Sequence, residues 1–279
     1  MSGHDDRSSI DSEVADWVPP PVDASTPSVA RIYDYWLGGK DNFAIDREVA
    51  DRIARTDGGG PEGAHANRRF LVEAVRSMAQ AGVRQFIDLG AGIPTSPSVH
   101  ETAWAIHPDA RVVYVDTDPV VLAHTRALLS SEPRTAVLPG DLRDPAAILA
   151  DPSVRALVDL TQPVGLLMIA VLHFVDTAAA PRIVARYLRD LAPGSQLAIC
   201  SASSEGGDPE ALARTRAAYT AATLIFRTRI EIEALFDHLD MVRPVTAVHR
   251  FASGSSLGGI GVKSATRSSS AGIEGAELG

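Results

Sequence analysis

The sequence predicts an α/β protein built on a doubly wound, mostly parallel sheet. Short apolar segments rich in β-branched residues alternate with helical segments between residues 84 and 201. Several apolar segments are almost continuously hydrophobic, as expected for strands that helices cover on both faces. The first of them runs directly into a glycine loop, Gly90-Ala91-Gly92, which is typical of a ligand-binding turn at the carboxyl edge of such a sheet.

The elements of this predicted sheet follow in a regular order. Strands are expected at 84–89, 111–116, 134–138, 164–170 and 196–201. Helices are expected at 97–107, 119–130, within 144–160, at 178–191, near 208–223 and near 229–239. Residues 244–251 are a candidate for a last strand at the sheet edge. Right-handed crossovers are expected to join the parallel strands.

Three helices are predicted before the first strand. A short helix is expected within 27–37, where Gly-Gly ends an apolar stretch, and longer ones at 44–55 and 62–81. We interpret 27–82 as a helical lid or cap and 83–252 as the Rossmann-like core of the same single domain. Residues 1–26 and the Gly- and Ser-rich residues 253–279 are expected to be disordered, because they have too few apolar residues to offset the entropy of ordering.

Composition and charge narrow the classes of function. The chain has 279 residues, of which 45% are hydrophobic, and this is enough for one sizeable core. Its net charge of −9 disfavours nucleic acid and anionic lipid as partners. The single cysteine, Cys200, excludes an intramolecular disulfide. The polar N-terminus lacks the pattern of a signal peptide and the apolar runs are too short to span a membrane, so a cytoplasmic protein is expected.

The glycine loop favours a nucleoside ligand with a cationic end. Gly90 and Gly92 match the first two glycines of the dinucleotide fingerprint, but Thr95 stands where the third would be. Asp88, just before the loop, would repel a pyrophosphate and attract a cation. The alternative is that Asp88 only binds the amides of an empty turn.

Acidic residues also follow the second and third strands. Asp116 ends the second strand, and its two oxygens could accept both hydroxyls of a ribose. Asp141 and Leu142 follow the third strand, where they could bind the amino group and cover the ring of an adenine. Asp118 stands just before Pro119 and could simply cap the next helix.

His173 follows the fourth strand and is the candidate for a catalytic base. The carboxyl edge of that strand faces the ligand crevice, where a proton acceptor could assist an incoming nucleophile. The alternative is a structural histidine held by hydrogen bonds. The other histidines show no metal-ligand spacing, so no metal site is predicted, and Cys200 is interpreted as a small buried residue.

An aromatic and polar segment before the core is the candidate for substrate contacts. Aromatic residues make up only 5% of the chain, yet several of them cluster between residues 33 and 43. With their polar neighbours they could form a ligand lid, and the alternative is simple packing of a helix. The candidate lid and substrate residues are Tyr33, Tyr35, Trp36, Lys40, Asp41, Asn42, Asn67 and Arg68. For Asn67 and Arg68 the alternative is a solvated position on the third helix.

Several of these motifs together resemble a known family. They lie in the segments 29–43, 67–71, 84–95, 112–119 and 172–174, and the most specific are Tyr33-Asp34-Tyr35 and Leu37-Gly38-Gly39-Lys40-Asp41-Asn42. The sequence resembles the actinobacterial S-adenosylmethionine-dependent methyltransferase family formerly classed as a domain of unknown function. The resemblance implies a Rossmann-like class I methyltransferase with a seven-stranded sheet and an antiparallel final strand. It also implies a cofactor site formed by Asp88, Gly90, Gly92, Asp116, Thr117, Asp141 and Leu142.

The expected function is therefore transfer of a methyl group from S-adenosylmethionine to a small-molecule acceptor. The family implies no established substrate. Cys200-Ser201-Ala202-Ser203 stands where the family usually has a Ser-His pair, and His249-Arg250-Phe251 stands where it usually has Trp-Arg-Pro. The first difference leaves open an inactive S-adenosylmethionine-binding sensor or partner protein. An NAD-dependent oxidoreductase is a further alternative, and the missing third glycine counts against it.

Overall fold

The computed structural model describes residues 22–56, 58–129 and 131–265, which form a seven-stranded sheet covered by helices. The strands are β1 Gln85–Leu89, β2 Arg111–Asp116, β3 Thr135–Pro139, β4 Gly165–Ile169, β5 Gln196–Ser203, β6 Asp240–Phe251 and β7 Gly254–Val262. Their spatial order is β3-β2-β1-β4-β5-β7-β6. The first five strands are parallel, whereas β7 runs antiparallel to both of its neighbours. The predicted doubly wound, mostly parallel fold is confirmed.

The helices lie close to the positions that the sequence predicts. They are α1 Val29–Trp36, α2 Ala44–Ala54, α3 Gly60–Gln80, α4 Val99–Trp104, α5 Pro119–Leu129, α6 Pro145–Ala150, α7 Pro152–Leu157, α8 Ala180–Asp190, α9 Pro209–Ala218 and α10 Arg229–Glu233. Side chains of Ser98, Asp144 and Asp208 accept a first-turn amide and so begin α4, α6 and α9. Single 3₁₀ turns occupy Leu172–Phe174 and Ala234–Phe236.

The register of the parallel strands brings their carboxyl ends to one edge of the sheet. Asp88 pairs with Tyr114, and Asp116 pairs with Pro139. β1 is followed in the chain by β2 on one side of it, while β4 lies on its other side. This reversal of strand order creates a crevice at the carboxyl ends of β1 and β4, where α/β proteins bind ligands.

Two apolar layers cover the sheet. On one face α6, α7 and α8 contribute the buried residues Ile148, Val154 and Tyr187. On the other face α3 contributes Phe70 and Met78, which are almost completely buried against the strands. Because α3 packs on the sheet itself, it belongs to the core, and the predicted cap of residues 27–82 reduces to α1 and α2.

The cap, formed by α1 and α2, has its own small apolar cluster at the carboxyl edge of the sheet. Ile32 of α1 and Val49 and Ile53 of α2 pack against Tyr219 and Leu224, which lie between α9 and α10. Apolar contacts therefore fix the cap against the segment that follows α9.

A buried ion pair joins the two helices of the cap. The Nε atom of Arg31 lies 2.9 Å from Oδ2 of Asp46, and both side chains are almost inaccessible to water. The Asp46 carboxylate also accepts hydrogen bonds from the backbone amides of Ser28 and Phe43, each at 2.8 Å. These bonds satisfy the buried charge and set the relative position of α1 and α2.

The prediction of a disordered tail from residue 253 is wrong for residues 254–262, which form β7 between β5 and β6. The glycines of β7 make room for side chains of neighbouring elements. A Cβ atom at Gly258 would lie 2.9 Å from Cζ of Phe70, and one at Gly261 would lie 2.9 Å from Cβ of Leu239. The Gly- and Ser-rich composition therefore reflects close packing inside a sheet.

The outer parts of the predicted arm and tail, residues 1–21 and 266–279, lie outside the described residues. Residues 22–26, which the sequence places in the disordered arm, are bonded to α1. The guanidinium of Arg31 donates to the carbonyl oxygen of Asp23 at 3.3 Å and to that of Thr26. Among the helices of the described ranges, none has the length and hydrophobicity that a membrane crossing requires.

Candidate functional site

A cavity of about 630 Å³ opens at the carboxyl edge of the sheet beneath α1, and we call it the main cavity. The segments that follow β1, β2, β3 and β4 form its walls. Its lining includes Asp88, Gly90, Gly92, Asp116, Thr117, Asp141 and Leu142, together with Tyr33 and Arg68. The parallel register thus brings all the residues expected to bind a cofactor to one cavity.

The two loop glycines have the left-handed backbone that this turn requires. Gly90 has φ +74°, and a Cβ atom there would lie 2.5 Å from Cγ2 of Val171. Gly92 has φ +67°, and a Cβ atom there would meet nothing within 4 Å. Gly90 therefore allows the loop to approach the β4 end closely, while Gly92 leaves its backbone open toward the cavity.

Asp116 is held by the backbone on both of its oxygens. Oδ2 accepts the amide of Gly92 and Oδ1 accepts the amide of Asp118, each at 2.9 Å. Burial raises the pKa of Asp116 above its ordinary value, although these hydrogen bonds oppose the shift. A carboxylate offers about four acceptor positions, so both oxygens remain able to accept a ligand hydroxyl.

Asp88 lies deeper, with only 3% of its surface exposed. Desolvation raises the pKa of Asp88 to about 7; the positive charge of Arg68 lowers it, and the negative charge of Asp116 raises it further. A cationic ligand group would favour the ionised form of this carboxyl.

Arg68 on α3 supports the loop that follows the glycines. Its Nη2 atom donates to the carbonyl oxygens of Thr95 and Pro97, at 2.8 and 2.7 Å. The solvated position that the sequence left open for Arg68 is therefore not found, and the side chain holds the loop beside the main cavity.

Asp141 and Leu142 follow β3 and form another part of the wall. Nε of Arg143 donates to Oδ1 of Asp141 at 2.9 Å, and Nη2 donates to Oδ2 at 2.5 Å. These hydrogen bonds and the charge of Arg143 lower the pKa of Asp141 below its ordinary value. Leu142 is fixed by its carbonyl oxygen, which accepts the hydroxyl of Tyr187 at 3.1 Å.

Asp118 caps α5, as the sequence suggested, and it also contacts the cap. Oδ1 of Asp118 accepts the amide of Val120 at 2.8 Å. Oδ2 accepts the hydroxyl of Ser28, which begins α1. The Asp118 carboxylate therefore links the start of α5, beside the main cavity, to the cap.

His173 does not have the geometry of the predicted base. Its Nδ1 atom accepts the backbone amide of Ala202 at 3.3 Å, so in the neutral ring the proton lies on Nε2. Desolvation lowers the pKa of His173 to about 3, and the charge of Arg227 lowers it further. A neutral ring with a protonated Nε2 donates a hydrogen bond but cannot take a proton there.

His173 lines a second cavity of about 70 Å³, the inner cavity, which adjoins the main cavity. The two cavities share the lining residues Val29, Tyr33, Ala170 and Phe174. Trp36 and Asn67 also line the inner cavity. Asn67 is buried, contrary to the solvated alternative, and its Oδ1 atom accepts the thiol of Cys200 at 3.2 Å.

The other expected lid residues lie away from both cavities. The hydroxyl of Tyr35 donates to Oδ1 of Asp51 at 3.3 Å on an exposed surface. Lys40 is exposed, and Asp41 lies 3.1 Å from Nδ1 of His124 on α5. Asn42 donates from Nδ2 to Oδ2 of Asp34 at 2.8 Å. None of Tyr35, Lys40, Asp41 and Asn42 lines either cavity, so a contact of these residues with a ligand stays a prediction.

Ala170 is a residue that the sequence gave no reason to select. It directly follows β4, lines both cavities and has φ +58°, a backbone region that residues other than glycine rarely adopt. Its amide donates to the carbonyl oxygen of Cys200 at 2.8 Å. Strained residues of this kind cluster at ligand sites, but the strain is visible only once the backbone is known.

Comparisons with known proteins agree with this geometry. The sequence profile of a family described as S-adenosyl methyltransferase matches residues 15–273. A crystal structure from Thermobifida fusca, described as a proposed methyltransferase, is 40% identical with a TM-score of 0.82 over 90% of this chain and 100% of that chain. The structure of a DUF574 family protein from Streptomyces avermitilis is 39% identical with a TM-score of 0.81 over 87% of this chain and 100% of that chain.

A curated relative from Mycobacterium marinum is described as a proposed S-adenosyl-L-methionine-dependent methyltransferase. It is 34% identical over 173 residues, which are 56% of this chain and 50% of the relative. The chain thus matches about half the length of that relative. In the described ranges, no group of three or more His, Cys, Asp or Glu side chains could hold a metal ion.

Proposed function

The chain belongs to the S-adenosyl methyltransferase family, and we propose that it transfers the methyl group of S-adenosylmethionine to a small-molecule acceptor. The observation that carries the proposal is the pair of carboxylates at the ends of β1 and β2. Asp88 and Asp116 both line the main cavity beside the glycine loop. This arrangement suits a ligand that combines a ribose with cationic groups.

The donor groups of the main cavity fit S-adenosylmethionine part by part. Asp116 would accept the ribose hydroxyls, because each of its oxygens keeps an acceptor position. Asp88 would bind the ammonium group of the amino-acid end. Asp141 and Leu142 would hold the adenine, and Thr117, which follows Asp116 directly, would lie beside the ribose. A pyrophosphate would instead meet carboxylates at the ends of three successive strands.

The residues of the cap would orient the reactants and exclude water. The cofactor supplies a methyl group that is already activated by the positive sulfur. Tyr33 donates to the carbonyl oxygen of Ala64 at 3.0 Å and so stands as a fixed wall between the cavities. Holding a nucleophile in line with the methyl group can lower a barrier by roughly 7–11 kcal/mol.

The size of the site and the net charge of the chain favour a small acceptor. α1 lies over the main cavity, and the inner cavity beside it has a volume of only about 70 Å³. The net charge of −9 also repels a nucleic acid. The acceptor is therefore a small molecule that enters between the cap and the sheet.

Two measurements test the proposal. Calorimetry with S-adenosylmethionine, S-adenosylhomocysteine and NAD should give saturable binding of the first two only, and binding of NAD alone would overturn the proposal. Labelled S-adenosylmethionine should then transfer its methyl group to a compound in an extract of small metabolites. Cofactor binding without any transfer would instead support the inactive sensor that the unusual Cys200 segment left open.

A further inference from the structure

We propose that the inner cavity binds the methyl acceptor and selects an uncharged, single-ring aromatic compound whose nucleophile is a neutral nitrogen. This inference rests on the proposed methyl transfer and names its acceptor. It follows from the position of the inner cavity, from its aromatic walls and from the absence of a proton acceptor among its described lining residues.

The inner cavity lies next to the region where the transferred methyl group would sit. It shares Val29, Tyr33, Ala170 and Phe174 with the main cavity. Those four residues surround the junction near the β4 end, on the opposite side of the glycine loop from Asp141 of β3. An acceptor at this junction would have one end beside the cofactor and the other inside the inner cavity.

Aromatic rings form much of the wall of the inner cavity. The rings of Phe174 and Tyr219 lie 5.4 Å apart, and those of Trp36 and Tyr219 lie 6.5 Å apart in an edge-on arrangement. Phe226 and Phe251 complete this wall. Such rings favour flat apolar or aromatic ligands, which they can contact by stacking or by their edges.

The described residues that line the inner cavity include no Asp, Glu, Lys or Arg side chain. Burying a charged group without a partner is far more costly than burying a neutral one. A carboxylate or phosphate on the acceptor would therefore bind poorly, whereas a neutral ring loses little on leaving water.

The polar groups of the inner cavity are arranged to donate rather than to take a proton. Nδ1 of His173 already accepts the amide of Ala202. The Oδ1 atom of Asn67 already accepts the thiol of Cys200, at 3.2 Å. Burial raises the pKa of Tyr33 and Tyr219. A hydroxyl acceptor that must lose a proton before it attacks would find no base among the described residues of this wall.

A neutral nitrogen needs no base before the transfer. Its lone pair forms the bond to the methyl carbon while the carbon–sulfur bond breaks and its electron pair returns to sulfur. The products are S-adenosylhomocysteine and a protonated methylated nitrogen, which releases its proton to water. This methyl transfer requires neither an oxidant nor a metal.

The volume limits the part of the acceptor that the inner cavity can hold. At about 70 Å³ it is smaller than the roughly 150 Å³ of an apolar cavity that accepts benzene. One ring therefore fits only if it also extends into the junction with the main cavity. This geometry would direct the ring substituent that carries the nitrogen toward the cofactor.

The test compares four single-ring probes in the full chain with labelled S-adenosylmethionine. Aniline and 4-methylaniline carry a neutral nitrogen, 4-aminobenzoate adds a carboxylate to aniline, and phenol replaces its nitrogen by a hydroxyl. We expect transfer to at least one of the first two and at least about tenfold less to the others, since tenfold corresponds to 1.4 kcal/mol. Equal or faster transfer to 4-aminobenzoate or phenol, or transfer to none of the four, would overturn the acceptor assignment.

A substitution in α3 tests the location of the acceptor. Gly63 lines the inner cavity but not the main cavity, and a Cβ atom there would meet only His249, at 4.0 Å. Gly63→Val should fill the inner cavity and lower transfer to the preferred probe by at least about tenfold. His65→Val places the same side chain on the exposed face of α3. It should change neither the methyl transfer to the probe nor the binding of S-adenosylhomocysteine.

Calorimetry with S-adenosylhomocysteine distinguishes a failure of the proposed acceptor site from a failure of the proposed methyltransferase function. Unchanged binding in Gly63→Val with reduced transfer supports the inner cavity as the acceptor site. Unchanged binding with unchanged transfer overturns that location and leaves the methyltransferase proposal intact. If Gly63→Val does not fold, Gly63→Ala should give a smaller loss in the same direction, and no loss would count against the location. Failure of the unaltered chain to bind S-adenosylhomocysteine would instead overturn the proposed function.

Discussion

The amide of Gly92 donates a hydrogen bond to Oδ2 of Asp116 at 2.9 Å, which joins the tip of the glycine loop to the end of β2. The amides of Gly90 and Ala91 both donate to the carbonyl oxygen of Val115, at 2.9 and 3.2 Å. The loop is thus held on β2 by hydrogen bonds of the protein itself. The main cavity is preorganised, and cofactor binding need not order this turn.

The first prediction concerns the affinity of the cofactor. Asp116→Ala should weaken binding of S-adenosylmethionine by about 1–3 kcal/mol, because charge-assisted hydrogen bonds to the ribose are lost. Calorimetry measures the change. Asp144→Ala is the matched control, since Asp144 caps α6 outside the main cavity and its loss should leave the affinity unchanged. Equal affinities of Asp116→Ala and the unaltered chain would show that the ribose binds elsewhere.

The second prediction is a pH dependence caused by Asp88. Desolvation raises the pKa of this carboxyl to about 7 in the free protein, and an ammonium group of the ligand would favour its ionised form. Binding therefore releases a proton below pH 7. The affinity for S-adenosylmethionine should rise with pH between about 5.5 and 7 and then level off, with a slope of at most about one log unit per pH unit.

Asp88→Asn is the control for this pH dependence. Its side chain does not titrate, so its affinity should be lower and nearly constant over the same pH range. The pH dependence of folding stability gives an independent check on the raised pKa of Asp88. Because the folded-state pKa of Asp88 is raised from 3.8 to about 7, the free protein loses stability as pH rises between these values. Asp88→Asn should therefore stabilise the free protein at pH 8 and much less at pH 4, which denaturant unfolding measures.

The third prediction concerns Arg227, which positions the loop that carries His173. Arg227 is 1% exposed, and its two terminal nitrogens donate to the carbonyl oxygens of Leu172 and Val175, both at 2.7 Å. Arg227→Met removes both donors. The Leu172 oxygen keeps the backbone amide of Val175, at 3.0 Å, whereas the Val175 oxygen loses the donor that the described residues supply, at a cost of about 1–3 kcal/mol. Denaturant unfolding should show this loss of stability, and KM for the acceptor should rise more than KM for the cofactor.

A matched control for Arg227 is available on α9. Arg214 is largely exposed and lies 3.8 Å from Glu210. Arg214→Met should change the free energy of unfolding by no more than about 1 kcal/mol, as is usual for exposed ion pairs. Similar losses in both variants would contradict a specific role of Arg227 in holding the loop.

The local sequence pattern was sufficient to select site residues that lie at the end of a single strand. Asp88 and Asp116 lie at the ends of β1 and β2, and Asp141 comes two residues after β3. The parallel order of these strands then places all three on the main cavity. The environment of His173 was not predictable in this way. Its tautomer depends on an amide at Ala202, which lies on another strand and becomes a neighbour only in the folded sheet.

The directions of the side chains on α1 were also beyond what the sequence could predict. Tyr33 and Tyr35 are adjacent aromatic candidates in the sequence, but positions two apart on a helix point in nearly opposite directions. Tyr33 therefore lines the main cavity, whereas Tyr35 contacts Asp51 at the surface. Composition drew attention to the segment, but only the packing of α1 on the sheet determines which of its side chains meet a ligand.

The last prediction concerns β7, the glycine-rich strand that the sequence analysis did not predict. A Cβ atom at Gly258 of β7 would lie 2.9 Å from Cζ of Phe70 and 2.9 Å from Cγ2 of Val248. Gly258→Ala should therefore destabilise the protein by about 1–3 kcal/mol, the usual cost of overpacking. Denaturant unfolding measures the loss. Phe70→Leu removes the ring atoms nearest the new methyl group, so the double variant should be more stable than the sum of the two single effects predicts. Strict additivity would mean that the ring of Phe70 does not explain why β7 carries glycine at this position.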